Sequence, residues 1–155
     1  MDSKPNKIFG RVCGLALFAA AMTIGAGADA AFPQLTPEQA IFQAADAAPA
    51  PVPGTFLMTV KAVGRMNGTV YLDSELDYRD QRNLAIAICP DAIAPLVAKF
   101  GGDLDKVMLG KNVAVAGAAI RFKVSLFSND GMPLDTYYYQ THVDVCSADQ
   151  ITLQP

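Results

Sequence analysis

One histidine, three cysteines and no run of basic residues mark this chain of 155 residues, and each shortage removes a class of function. The single histidine, His142, has no serine, cysteine or second histidine beside it on its own segment. It therefore lacks the nucleophile and base pairing that acyl transfer needs. Three cysteines with one histidine also fall short of the spaced ligand pairs of a zinc centre. No phosphate-cradling glycine loop or zinc-binding helix motif occurs. Acidic side chains outnumber basic ones 15 to 12. Phosphate backbones are gripped through lysine and arginine, so nucleic acid is a poor partner. These absences point to a protein that is not an enzyme and carries no metal or other cofactor.

The N-terminal 30 residues are the first positive signal. Lys4, Lys7 and Arg11 lead, residues 15–28 carry no charge, and Ala28-Asp29-Ala30 sets small residues at both recognition positions of a cleavage site. This is the pattern of a secretory signal peptide. The apolar run is shorter than the roughly 20 residues that a spanning helix needs, so no stable membrane insertion is expected after cleavage. Removing residues 1–30 leaves 9 basic and 13 acidic side chains, a net charge of −4. The expected location is the periplasm or the medium. Cys89 and Cys146 remain, and two cysteines in an oxidising compartment suggest a bridge rather than a metal pair.

Three segments follow from composition: the signal peptide at 1–30, a short helix with a Pro/Ala-rich linker at 31–53, and a β-rich domain at 54–155. Thr36-Pro37-Glu38-Gln39 supplies a capping hydroxyl, a proline at the first helical position and a glutamine at the third. A helix running toward Asp46 is expected there, as a loose leader ahead of the domain. Ala48-Pro49-Ala50-Pro51-Val52-Pro53 reads as a semi-rigid linker.

From Gly54 the hydrophobic period becomes two. Phe56, Met58 and Val60 alternate with polar neighbours, Gly64 suggests a bulge, and Asn67-Gly68 signals a tight hairpin turn. Strands are expected at 69–73 and 84–89. Ile93, Leu96, Val97 and Phe100 then take helical spacing, with the regular helix expected to start near Pro95 and to stop at Gly101-Gly102. In the next strand Val113 and Val115 have one parity and Ile120, Phe122, Val124 and Leu126 the other. If both sets face the core, a bulge is needed near Gly117. A last strand at 136–146 would send Tyr137, Tyr139, Thr141, Val143 and Val145 inward.

A three-strand meander, a helix and two long strands, together with the segment Met108-Leu109-Gly110-Lys111-Asn112-Val113 entering the fourth strand, resemble the OB-fold. The resemblance covers residues 54–153. It implies a mainly β fold, a five-stranded OB-like barrel with one helix between strands three and four, which binds oligonucleotides or oligosaccharides. It further implies that strands three and five lie side by side and parallel, which would bring Cys89 and Cys146 together. The expected ligand surface is the outer face of strands two and three with its loops. There stand Tyr71, Tyr78, Arg79 and Arg82, with Tyr138 and His142 pointing outward from the last strand.

Aromatic rings beside guanidinium groups can stack a sugar or a base and bond its edges. The segment 73–80 carries carboxylates at alternate positions but lacks the glycine and the final glutamate of a calcium loop, and a salt-bridged surface loop is expected. The function read from this is a small exported binding module for a glycan, a peptide or an envelope protein. The alternatives are an envelope assembly protein using its linker and barrel edge, and a single-stranded nucleic-acid binder.

Overall fold

The computed structural model describes residues 32–155. The expected signal segment lies outside them. The described chain is mainly β, and its strands form one curled sheet. In chain order the elements are β1 (Gln34–Leu35), α1 (Pro37–Ala47), β2 (Val52–Thr59), β3 (Ala62–Met66), β4 (Thr69–Asp73), β5 (Leu84–Ile88), α2 (Pro90–Phe100), α3 (Leu104–Val107), β6 (Asn112–Phe127), β7 (Pro133–Val145) and β8 (Ile151–Leu153). The sheet order is β1-β2-β6-β7-β5-β4-β3, with β8 also paired to β6. Among the described residues there are thus eight strands where five were expected, and α1 and α3 accompany the helix between β5 and β6.

The curl comes from one change of partner. Val60 N donates to Lys111 O at 2.9 Å, continuing the pairing of β2 with β6, and the next residue, Lys61, donates through its N–H to Asp73 O at 2.8 Å, beginning the pairing of β3 with β4. The interruption falls at Val60 and Lys61, not at Gly64, which stays in register opposite Tyr71. Asn67 and Gly68 make the expected turn with φ of 51° and 84°, the left-handed pair that a two-residue hairpin requires.

Alternation fills the concave side. Phe56, Val60, Val70, Leu72, Leu84, Ile86, Ile88, Val115, Val143 and Val145 are all 0% exposed, each large side chain contributing about 1.5–3 kcal/mol by leaving water. Helices close this core, and the short α3 adds Leu104, which is fully buried in it. In α2, Ala92 and Leu96 are buried and Gly101 caps the end at φ 77°. That helix starts at Pro90, and Pro95 lies within it; Pro95 is exposed, so the bond its ring removes leaves only a solvent-side carbonyl free. The leading helix α1 has the expected capping box, in which Gln39 N donates to Thr36 Oγ1 at 3.3 Å and Thr36 N donates to Gln39 Oε1 at 2.9 Å. It is not a loose leader. Ala40 and Ala44 are 0% exposed, and these two small residues let the helix backbone approach β2 and β6 closely.

β5 and β7 run parallel, with Ile88 opposite Val145. Their next residues, Cys89 and Cys146, form a disulfide with Cα atoms 4.9 Å apart. No described helix is long and apolar enough to cross a membrane.

Candidate functional site

The outer face of the sheet is built by the residues that alternate with the core set. Val70 and Leu72 point inward, so Tyr71 and Asp73 of β4 point outward. Asp73 stands opposite Ala85 on β5, Ala85 opposite His142 on β7, and His142 opposite Ile120 on β6. Beyond that row Gln140 pairs with Phe122 and Tyr138 with Val124. Alanine at the centre with larger side chains on both flanks leaves a trough. It forms a groove of about 750 Å³, walled by Tyr71, Tyr78, Phe122, Tyr138 and His142 and reached by Asp73 and Gln140.

Contacts among these side chains hold their shape. The His142 ring meets Tyr71 edge-on at 5.9 Å and Phe122 at 5.0 Å between centroids. Gln140 Nε2 donates to Tyr78 O at 3.1 Å. Its Oε1 is therefore the acceptor that faces His142 Nε2 at 3.0 Å, so Nε2 carries the imidazole proton. Burial lowers the His142 pKa, against a weaker opposing pull from Asp144, which favours the neutral ring. Burial likewise raises the Tyr138 pKa, so its hydroxyl keeps its proton.

The loop at 74–83 forms one end of the groove and is ordered from beneath. Asn83, only 4% exposed, donates through Nδ2 to Asp73 Oδ1 at 2.7 Å, and its Oδ1 accepts from Glu75 N at 3.0 Å. Leu84 N donates to Ser74 Oγ at 2.8 Å. Above this floor the charges pair locally. Glu75 meets Lys61 at 2.9 Å, Asp77 meets Arg79 at 3.1 Å, and Asp80 meets Arg82 at 2.7 Å. The Arg82 guanidinium, bonded to Asp80, holds that carboxyl at about 2. Among the described residues no group of three or more His, Cys, Asp or Glu side chains is arranged to hold a metal ion.

Four of the six expected ligand residues, Tyr71, Tyr78, Tyr138 and His142, line this groove together. Arg79 is not on the lining, but its guanidinium lies 5.5 Å from the centre of the Tyr78 ring, which is. Arg82 lies elsewhere, on a second open groove of about 740 Å³ with Lys61, Glu75 and Thr36.

Phe122, Gln140 and Asp73 are among the lining residues that sequence reasoning missed. The signal for Phe122 was present in the alternation of Ile120, Phe122, Val124 and Leu126. Expecting that apolar set in the core required a bulge near Gly117, but the ladder to β2 runs unbroken from Asn112 to Ala119 and the ladder to β7 unbroken from Ala119 to Ser125. With no bulge these apolar residues face outward, and Phe122 and Val124 line the groove.

The same strands run past the core. Tyr137 and Tyr139 share the parity of buried Thr141 and Val143, yet they are 53% and 38% exposed, because nothing lies over them at that distance along the hairpin. Cations of β6 cover them instead, Lys123 over Tyr137 at 4.1 Å and Arg121 over Tyr139 at 3.7 Å. The hairpin tip exposes Phe127 and Met132. Compared with protein-family models, curated proteins and solved structures, the chain finds no match.

Proposed function

We propose that this protein is an exported, non-enzymatic binding module whose outer-face groove takes a short stretch of glycan. The observation that carries the reading is the convergence of Tyr71, Tyr78, Phe122, Tyr138 and His142 on one trough floored by Ala85. Ring faces stack against the apolar face of a sugar, and the Tyr hydroxyls, Gln140 and Asp73 offer donors and acceptors for its hydroxyls. Phosphate is served less well. Arg65, at one edge of the groove, is tied to Asp103 at 2.9 Å and to Asp105 at 2.8 Å, and Lys123 is seated on Tyr137. This disfavours a single-stranded nucleic acid.

The OB-fold reading is supported by treating β2 and β3 as one strand bent at Val60 and Lys61. The path then has five strands with α2 and the short α3 between the third and fourth, and β1, α1 and β8 become additions at its ends. Export is supported by the Cys89–Cys146 bridge, which suits an oxidising compartment.

A glycan array followed by calorimetry tests the proposal. Phe122→Ala and Tyr138→Ala should each weaken the best saccharide by tenfold or more while leaving the circular dichroism unchanged. Absence of any saccharide ligand, or binding indifferent to both substitutions, overturns it.

A second reading, assembly with an envelope protein, is favoured by the projecting hairpin, where Phe127 is 62% and Met132 65% exposed. Crosslinking in the native envelope that is lost on Phe127→Ser with Met132→Ser would support it.

A further inference from the structure

We infer that the sugar held in this groove is an amino sugar whose ammonium group sits against Asp73, an inference that rests on the reading of the groove as a glycan site. Asp73 is 5% exposed and lines the groove. Across the ladder it faces Ala85, which offers no polar partner. Its Oδ1 accepts from Asn83 Nδ2 at 2.7 Å, while Oδ2 takes no protein donor. Yet no buried side-chain oxygen among the described residues is left without a partner, so Oδ2 is not sealed from solvent, and the groove is the space that Asp73 lines. It is a fixed acceptor on the lining of an aromatic trough.

Charge decides what should meet it. The neighbouring acids each have a cation: Glu75 has Lys61, Asp77 has Arg79, Asp80 has Arg82, and Asp103 and Asp105 share Arg65. Asp73 has none, and burial raises its pKa. Arg65 and Lys123, the two basic residues on the lining, are engaged by carboxylates and by the Tyr137 ring respectively. A ligand ammonium would supply the missing countercharge, and the rings of Tyr71, Tyr78 and Tyr138 would face it with their negative surfaces. The Tyr78 ring already receives one cation, the Arg79 guanidinium. A neutral sugar could bond to Asp73 through a hydroxyl, but it would leave the buried charge unpaired.

The test compares three probes by calorimetry on the unaltered protein, at a pH where the amine is protonated: glucosamine trimer, its fully N-acetylated counterpart and Nα-acetyl-lysine amide. Charge-assisted bonding predicts that glucosamine trimer binds at least about tenfold tighter than the acetylated trimer, and that Asp73→Asn abolishes the difference. Carbon NMR of the Asp73 carboxyl provides a second measurement that needs no variant. Its titration should move to lower pH on saturation with glucosamine trimer and stay in place with the acetylated trimer.

Equal affinity for both trimers, preference for the acetylated one, or an unmoved Asp73 titration overturns the inference while leaving the glycan site standing. Binding of the lysine derivative alone overturns the amino-sugar assignment. If no saccharide of either kind binds here or on the array, the glycan reading falls with it.

Discussion

Replacing Cys89 and Cys146 together by serine should cost about 4 kcal/mol of stability. The bridge joins residues separated by 57 positions, and the chain-entropy relation for a loop of that length gives about 4 kcal/mol at room temperature. Little else enters the difference, because Cys146 is exposed and Cys89 half-buried, so the substitution opens no large cavity. The strands that the bridge joins remain paired through β5 and β7, with Cys89 N still donating to Val145 O. The effect should therefore lie in the unfolded chain. Urea unfolding of the oxidised protein and the double variant gives the measurement. The variant should have a lower midpoint together with a steeper dependence on urea, since its unfolded state exposes more surface. In a thermal scan the same loss corresponds to roughly 10–20 °C for a domain of this size. A loss below about 1 kcal/mol with an unchanged slope would refute the reasoning, because the bridge would then not be restricting the unfolded ensemble.

Other outcomes follow from single contacts. A Cβ at Gly117 would lie 2.7 Å from Val143 Cγ1, and Val143 is fully buried, so Gly117→Ala should cost about 1–3 kcal/mol, partly recovered when Val143→Ala is added, as read by urea unfolding. Asn83→Ala leaves Asp73 Oδ1 and Glu75 N without their partner and should destabilise by about 2–4 kcal/mol, with amide exchange accelerating first in the loop at 74–83. Thr36→Ala removes the capping acceptor of α1 and should cost about 1 kcal/mol, seen as fraying of that helix by NMR. Asp80 has a folded pKa of about 2, depressed from 3.8 by the Arg82 hydrogen bonds, so what it adds to stability is present above its unfolded pKa and is lost as pH falls toward 2. Carboxyl NMR should show that low titration and its return to the ordinary range in Arg82→Gln. Asp73 moves the opposite way, because burial raises its pKa; what it contributes is present at low pH and is lost as pH rises through its folded pKa.

Local chemistry made some of this molecule legible. Asn67-Gly68 specifies its turn because few other residues accept two positive φ angles, and Thr36 with Gln39 specifies a helix start because both ends of the capping box are written in four residues. The Cys89–Cys146 pair followed once β5 and β7 were placed side by side. What escaped was decided by tertiary position. Phe122 faces outward because β6 pairs without a bulge from Asn112 to Ser125, and an apolar alternation on its own does not say which of its two parities meets the core. The docking of α1 rests on Ala40 and Ala44, whose small size matters only against a surface that approaches them. Asp73 looked like one acid among several in a charged loop, and only the fold separates it from its paired neighbours and sets it on the same groove as Tyr71 and Tyr78.

The central claim is that the trough on the outer face is where this protein holds its ligand. Amide and aromatic shift mapping by NMR during titration with the saccharide that leads the array tests it directly. The account predicts saturating changes at Tyr71, Tyr78, Phe122, Tyr138 and His142, with the second groove around Arg82 unmoved. Changes confined to Arg82 and Lys61, or to the hairpin tip at Phe127 and Met132, would contradict it.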